Sequence, residues 1–186
     1  MAEARWACLY AKQQPLTYAR AGPGSGGHLA MGYFGLLAGF SGTGVPYRGN
    51  APLMIDLSGG QVKAGFIATA GALPHLKSGN LKGLAIAADQ RSPLAPNVST
   101  IAEAGYPQMK LNTYFVLLAP AQTPKPILDV VEREVRKATD STDLQQRWRA
   151  ATINPLGTSA AEAKARLMEE TALWADIVPR AKLKVK

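Results

Sequence analysis

The stretch of sequence that decides the fold is Ala21-Gly-Pro-Gly-Ser-Gly-Gly-His28. It follows a short run at 16–19 that is typical of a β-strand, and it precedes an amphipathic helical pattern over 28–38. Glycine permits positive φ angles and lets a ligand come close to the main chain. A helix that begins there points its unpaired N–H groups and its positive dipole end at the loop. The stretch therefore predicts a strand, loop and helix unit that binds an anion.

Strand and helix patterns alternate along the rest of the chain. Further strands are predicted at 43–47, 62–68, 81–88 and 114–119, and further helices at 4–12, 51–57, 70–77, 100–104, 127–139, 143–151 and 160–178. Asn50 is the predicted N-cap of the helix at 51–57, and Ser159 with Glu162 forms a predicted capping box for the last helix. This alternation predicts an α/β fold, with a parallel or mixed sheet covered by helices.

Composition and charge narrow the class of protein. Of the 186 residues 47% are apolar and 18% are charged, which favours a globular domain over a disordered chain. The net charge of +8 suits an anionic ligand, while the spread of the basic residues does not favour nucleic acid. The single cysteine excludes a disulfide framework. Because the first residues lack a signal h-region, the sequence alone predicts a cytoplasmic chain if Met1 is the true start.

Three interpretations of the glycine loop remain open at this point. The spacing Gly22-x-Gly24-x-x-Gly27, with Arg48 after the next strand, formally matches an NADP-binding oxidoreductase domain. Against that, no acidic residue stands near position 47 and the preceding strand is short and polar. The glycines are also compatible with a purely structural turn in which His28 hydrogen-bonds the loop. In the third interpretation, the four backbone amides of residues 24–27 and the Ser25 hydroxyl bind a small carboxylate.

Nucleophilic and metal chemistry are not favoured. Ser25 and His28 start one helix together, but no acid is placed to orient the imidazole as a catalytic base. The two histidines lie 47 residues apart without a carboxylate cluster, so no metal site is predicted. We therefore expect no catalytic residues, no metal and no cofactor.

Several short sequence motifs follow the loop in a specific order. They are Val45-Pro-Tyr-Arg-Gly49, Gly59-Gly-Gln-Val62, Leu73-Pro-His-Leu-Lys-Ser-Gly79, Leu81-Lys-Gly-Leu-Ala85, Thr100-Ile-Ala-Glu-Ala-Gly105 and Leu118-Ala-Pro-Ala-Gln-Thr-Pro124. From about Leu9 onward, the chain closely resembles the extracytoplasmic solute receptors of tripartite tricarboxylate transporters, the Bug or TctC family. The resemblance implies a non-enzymatic periplasmic protein whose two lobes, of the periplasmic-binding-protein type II, close like a Venus flytrap. It also implies a small organic carboxylate or amino acid as ligand, and membrane transporter subunits as partners.

The resemblance further suggests how the chain is divided. Residues 1–115 correspond to the second lobe, with a ligand-facing loop at 20–28, and residues 116–186 correspond to a return into an incomplete first lobe. The candidate ligand-binding residues are Ala21, Gly22, Gly24, Ser25, Gly26, Gly27, His28, Tyr47, Arg48, Gly49 and Ile67. With only one lobe to hold it, a ligand keeps much of its solvent, so we expect weak binding.

Two features depart from the family pattern or suggest another role. Lys63 stands where the family has Asp, and the pair Phe66-Ile67 stands where the family has Phe-Asp, so the resemblance does not carry the ligand's identity to this chain. The helices predicted at 124–139 and 160–178 would leave apolar faces without a partner sheet. An alternative function is therefore that of a truncated, ligand-incompetent fragment that forms a homodimer through these helices.

Overall fold

The computed structural model describes residues 16–109, 111, 114–151 and 153–185. They fall into two compact units, one within Met1–Thr113 and Ala175–Lys186 and the other within Tyr114–Trp174. The helix predicted at 4–12 lies outside the described residues. No helix in the described part is both long and apolar enough to cross a bilayer.

A parallel sheet forms the centre of the first unit. Its strands are β1 (Leu16–Arg20), β2 (Gly42–Pro46) and β3 (Ala64–Gly65), in the spatial order β2-β1-β3. β1 pairs with β2 along its whole length and with β3 at two positions. Parallel neighbours need crossover connections, and here helices supply them. α1 (Gly26–Ala38) joins β1 to β2, and α2 (Asn50–Ser58) joins β2 to β3, which confirms the predicted α/β fold.

Both faces of β1 are covered. Leu16 and Tyr18 on one face form a buried cluster with Met31 of α1. Ala19, on the opposite face, is fully buried in a second cluster that contains Leu53 of α2. Successive residues of a strand point to opposite sides, so a helix on each face explains why the adjacent residues Tyr18 and Ala19 are both buried.

The second unit consists mainly of helices. α4 (Lys125–Thr139), α5 (Thr142–Ala150) and the first part of α6 (Ala160–Arg180) belong to it, while α3 (Thr69–Lys77) belongs to the first unit. The predicted capping box at the start of α6 is confirmed. The Glu162 carboxylate accepts the Ser159 N–H at 2.8 Å, and the Glu162 N–H donates to Ser159 Oγ at 3.2 Å.

Some predicted elements are wrong. The strands predicted at 81–88 and 114–119 do not form, apart from one isolated bridge between Ile86 and Thr100, and the strand at 62–68 shortens to β3. These runs have strand-like apolar patterns, but an apolar pattern becomes a strand only where a neighbouring strand completes the hydrogen bonds. Residues 100–104 form a turn instead of a helix. Asn50 is already helical, and the N-cap is Gly49, whose φ of 99° suits glycine.

Candidate functional site

The carboxyl ends of all three strands meet at the start of α1. The Tyr47 N–H, just after β2, donates to the Arg20 carbonyl at the end of β1 at 2.8 Å. Just after β3, the carbonyl oxygen of Phe66 lies 2.5 Å from the position that a Cβ on Gly27 would take. Only glycine allows this close approach between the first turn of α1 and the backbone after β3. The loops at 21–28, 47–49 and 66–67 thus share one sheet edge, the edge where open α/β sheets place their ligands.

The glycine loop is held by its own hydrogen bonds. Gly22 and Gly24 have φ angles of 111° and 69°, and the carbonyl of Gly22 accepts both the N–H and the hydroxyl of Ser25, at 3.3 and 2.9 Å. Ser25 is the N-cap of α1, and its Oγ accepts the His28 N–H at 3.4 Å. The Ser25 hydroxyl proton is therefore engaged inside the loop, where it cannot also donate to a ligand.

The buried side chain of His28 stabilises this loop. Its side chain is 5% exposed, and its Nδ1 accepts the Gly24 N–H at 3.1 Å. An acceptor nitrogen carries no proton, so the imidazole is neutral with its proton on Nε2. Burial lowers the pKa of His28, and the nearby positive charge of Arg20 lowers this pKa further. Because the Ser25 hydroxyl donates to Gly22 instead of to the imidazole, the pair does not form a nucleophile and base.

Two amides of the first helical turn remain open. Those of Gly24 and Ser25 are used within the loop, whereas Gly26 and Gly27 find no acceptor among the described residues. They occupy the first two helical positions, where the geometry of a helix leaves N–H groups without an internal partner. The first turn of α1 contains no acidic side chain. Of the four amides predicted to bind a carboxylate, two are thus available.

The other predicted site residues divide into two groups. Tyr47, Arg48 and Gly49 follow β2 at the same sheet edge, and Arg48 is exposed. The Tyr47 hydroxyl donates to Asp56 Oδ2 at 2.8 Å. Desolvation raises the pKa of Tyr47, and the hydrogen bond to Asp56 and the charge of that carboxylate raise it further. Ala21 and Ile67 pack against the apolar cluster on the α2 side of the sheet.

Arg20 is a residue of this edge that was not among the predicted binding residues. Its Nε donates to the Gly44 carbonyl at 3.4 Å, and its Nη1 is buried without a hydrogen-bond partner among the residues that the structure describes. A half-buried cation with one buried, unsatisfied N–H group makes its surroundings favourable for an anion. The detectable signal in the sequence is a charged residue that ends an otherwise buried strand. Among the described residues, no group of three or more His, Cys, Asp or Glu side chains could hold a metal ion.

Comparison with known proteins identifies relatives over nearly the whole chain. Residues 7–183 match the family model described as tripartite tricarboxylate transporter family receptor. Protein BugT of Bordetella pertussis is 32% identical over 163 residues, which are 88% of this chain and 50% of that protein. The chain spans about half the length of the curated relatives it matches most fully.

Solved structures are similar along the same length. An R. palustris protein determined with adipate superposes with a TM-score of 0.88 at 29% identity, covering 98% of this chain and 62% of that one. MatC from Rhodopseudomonas palustris with bound malate gives a TM-score of 0.83 at 30% identity, covering 95% and 62%. The periplasmic binding protein BugD gives a TM-score of 0.81 at 25% identity, covering 97% and 60%.

Proposed function

This chain belongs to the tripartite tricarboxylate transporter receptor family, and on that premise we propose that it binds a small organic carboxylate without catalysing a reaction on it. One observation carries the proposal. The loops after three parallel strands converge on the start of α1, where the amides of Gly26 and Gly27 are open and no acidic side chain competes for them. Amides in this position, at the positive end of a helix dipole, favour a bound anion.

Each part of the site has a separate role in this proposal. Gly26 and Gly27 donate their N–H groups to one carboxylate, while Gly22, Gly24, Ser25 and His28 hold the loop in place. Tyr47, Arg48 and Gly49 flank the ligand, and Ala21 and Ile67 line its apolar side. Arg20 adds positive potential beneath the loop. A ligand with two carboxylates suits this arrangement, and two solved relatives were determined with the dicarboxylates adipate and malate.

Gly26 offers a direct test because proline is tolerated at the first helical position. Gly26→Pro removes one open N–H, and the extended conformation of Ser25, with φ −62° and ψ 153°, is one that a residue before proline adopts. Gly26→Ala retains the N–H, and a Cβ at this position has no atom within 4 Å. It is therefore the matched control.

Calorimetric titration with adipate and with malate at low ionic strength compares the two variants. We expect Gly26→Pro to weaken carboxylate binding by about tenfold or more, the loss of one hydrogen bond to a charged group, and Gly26→Ala to bind like the unmodified chain. Equal affinities for the two variants would exclude the α1 amides as the binding groups.

The complete protein is proposed to act outside the cytoplasm. BugD is described as a periplasmic binding protein, and the family is named for a transporter. We propose that the whole receptor works in the periplasm and delivers its ligand to membrane subunits of a tripartite transporter. In this proposal residues 1–115 form the second lobe and residues from 116 onward form the return into the first lobe, while the last residues, from Ala175, belong to the same unit as the second lobe.

A second candidate role is self-association through the second unit. Phe115, Leu117 and Leu118 are 82%, 69% and 75% exposed, and several apolar side chains of α4 are also exposed. Exposed apolar side chains in this number favour association. We propose that a second copy of the chain covers this surface. Sedimentation velocity at tens of micromolar tests the proposal. A dimer that Leu117→Lys dissociates supports it, and a monomer throughout refutes it.

A further inference from the structure

The chain turns sharply where α6 ends. The N–H of Lys182 donates to the Pro179 carbonyl at 3.0 Å, and the N–H of Leu183 donates to the Val178 carbonyl at 3.1 Å. Lys182 has a φ of 51°, in the left-handed region. This pair of hydrogen bonds around a left-handed residue is the Schellman arrangement, which ends a helix and redirects the chain.

The redirected segment lies against α1 and the glycine loop. A Cβ on Gly32 of α1 would lie 2.5 to 2.8 Å from three side-chain carbons of Leu183, so this leucine covers the bare helix backbone. A Cβ on Gly24 would lie 3.8 Å from the Val185 carbonyl oxygen and 3.9 Å from the Val185 Cβ. Lys184, between the two apolar residues, is exposed. Alternate residues of the segment therefore face α1 and its loop.

We propose that the segment Ala181–Val185 forms one wall of the glycine-loop site, and that the side chain at position 185 sets the charge preference for the ligand. This inference rests on the proposed carboxylate-binding function. Val185 lies beside Gly24, which comes just before the Ser25 cap and two residues before the open amide of Gly26. Val185 is 40% exposed, so a charged side chain introduced there keeps part of its hydration while it stands next to the loop.

Two variants with the same change in net charge distinguish a local effect of position 185 on ligand affinity from a general effect of the protein's charge. Val185→Glu and Lys184→Gln each lower the net charge by one, at neighbouring positions of which only 185 faces the loop. Two like unit charges within a Debye length of each other, in a dielectric between those of protein and water, weaken binding by about three- to tenfold. We expect this loss for adipate and malate with Val185→Glu, and a gain of similar size with Val185→Lys. For Lys184→Gln we expect less than about a twofold change, because an exposed charge is well screened.

Calorimetry at low ionic strength measures all three variants, with urea midpoints as the test of folding. Val185→Gln is the neutral reference, and if Val185→Glu does not fold, the comparison of Val185→Lys with Val185→Gln gives the same answer. Two results would show that position 185 is not a wall of the site, while the proposed function stands. One is an equal change in affinity for Val185→Glu and Lys184→Gln, and the other is no change in affinity for either charged variant at 185. If the unmodified chain binds neither acid, the proposed function fails and the inference fails with it.

Discussion

The contact between the first turn of α1 and the backbone after β3 predicts opposite changes in stability for alanine substitutions at the adjacent residues Gly26 and Gly27. In Gly27→Ala the new Cβ would lie 2.5 Å from the Phe66 carbonyl oxygen and 3.6 Å from its carbon. Both atoms belong to the main chain just after β3, so no side-chain rotation can relieve the overlap. In Gly26→Ala the new Cβ meets nothing within 4 Å.

The magnitude follows from two opposing effects. Alanine stabilises a helical position relative to glycine by about 0.5–1 kcal/mol, and both variants receive this gain. Overpacking against a rigid neighbour costs about 1–3 kcal/mol, and only Gly27→Ala incurs this cost. The shared gain cancels in the comparison, so the free energy of unfolding should be about 1–3 kcal/mol lower for Gly27→Ala than for Gly26→Ala.

Urea unfolding followed by far-UV circular dichroism measures this difference, and unchanged m-values would show that both variants unfold from the same state. We expect Gly26→Ala to lie at or above the unmodified chain and Gly27→Ala to lie below it. If the two variants are equally stable, Phe66 is not pressed against the start of α1. The convergence of the three strand ends, which supports the proposed site, would then be wrong.

Two further predictions concern His28, which stabilises the glycine loop, and Ser159, which caps α6. As the pH falls from 7 toward 5, the chain should lose stability, because the folded-state pKa of His28 is lowered and the unfolded state binds more protons below about pH 6.5. His28→Asn keeps an acceptor for the Gly24 N–H without titrating, so urea midpoints measured against pH should flatten in this window. An unchanged slope would show that His28 is not the group responsible. Ser159→Ala should destabilise the second unit by about 1 kcal/mol through loss of the α6 cap. The backbone N–H of Ser159 and then its hydroxyl lower the pKa of Glu162, and alanine removes only the hydroxyl. In the same variant, the pKa of Glu162 should therefore rise part of the way toward its ordinary value in a carbon-detected NMR titration. A pKa that does not change would contradict the contribution of the Ser159 hydroxyl to the capping box.

Local sequence patterns predicted the first unit well where the structure supplies a partner for each pattern. β1, α1 and β2 form a crossover unit whose pairing completes the hydrogen bonds that the strand pattern requires. The capping box at Ser159 forms because both of its members lie within four residues of each other. Such short-range chemistry is visible in the sequence and needs no knowledge of distant contacts.

Long-range contacts account for what the sequence did not show. Residues 114–119 have an apolar pattern typical of a strand, but a strand also requires a neighbour, and Phe115 and Leu118 remain exposed. The hydrogen bond that Arg20 Nε donates to the Gly44 carbonyl of β2, and the burial of its Nη1, depend on residues more than 20 positions away in the sequence. The contact of Val185 with Gly24 joins residues from opposite ends of the sequence, so no local pattern could indicate it.

In the glycine loop, some hydrogen-bond donors are used within the loop and others remain open. This difference explains why the family is easier to recognise from the sequence than the ligand. Gly24, Ser25 and His28 use their hydrogen-bonding groups on the loop itself, so the role of these residues in the structure is to hold its shape. The groups left for a ligand are main-chain N–H donors, which every residue except proline possesses. A carboxylate held by such donors is recognised by its charge and not by the rest of its structure. Discrimination among acids must then come from the side chains around the loop, and the substitutions at position 185 test whether a side chain beside the loop changes carboxylate affinity.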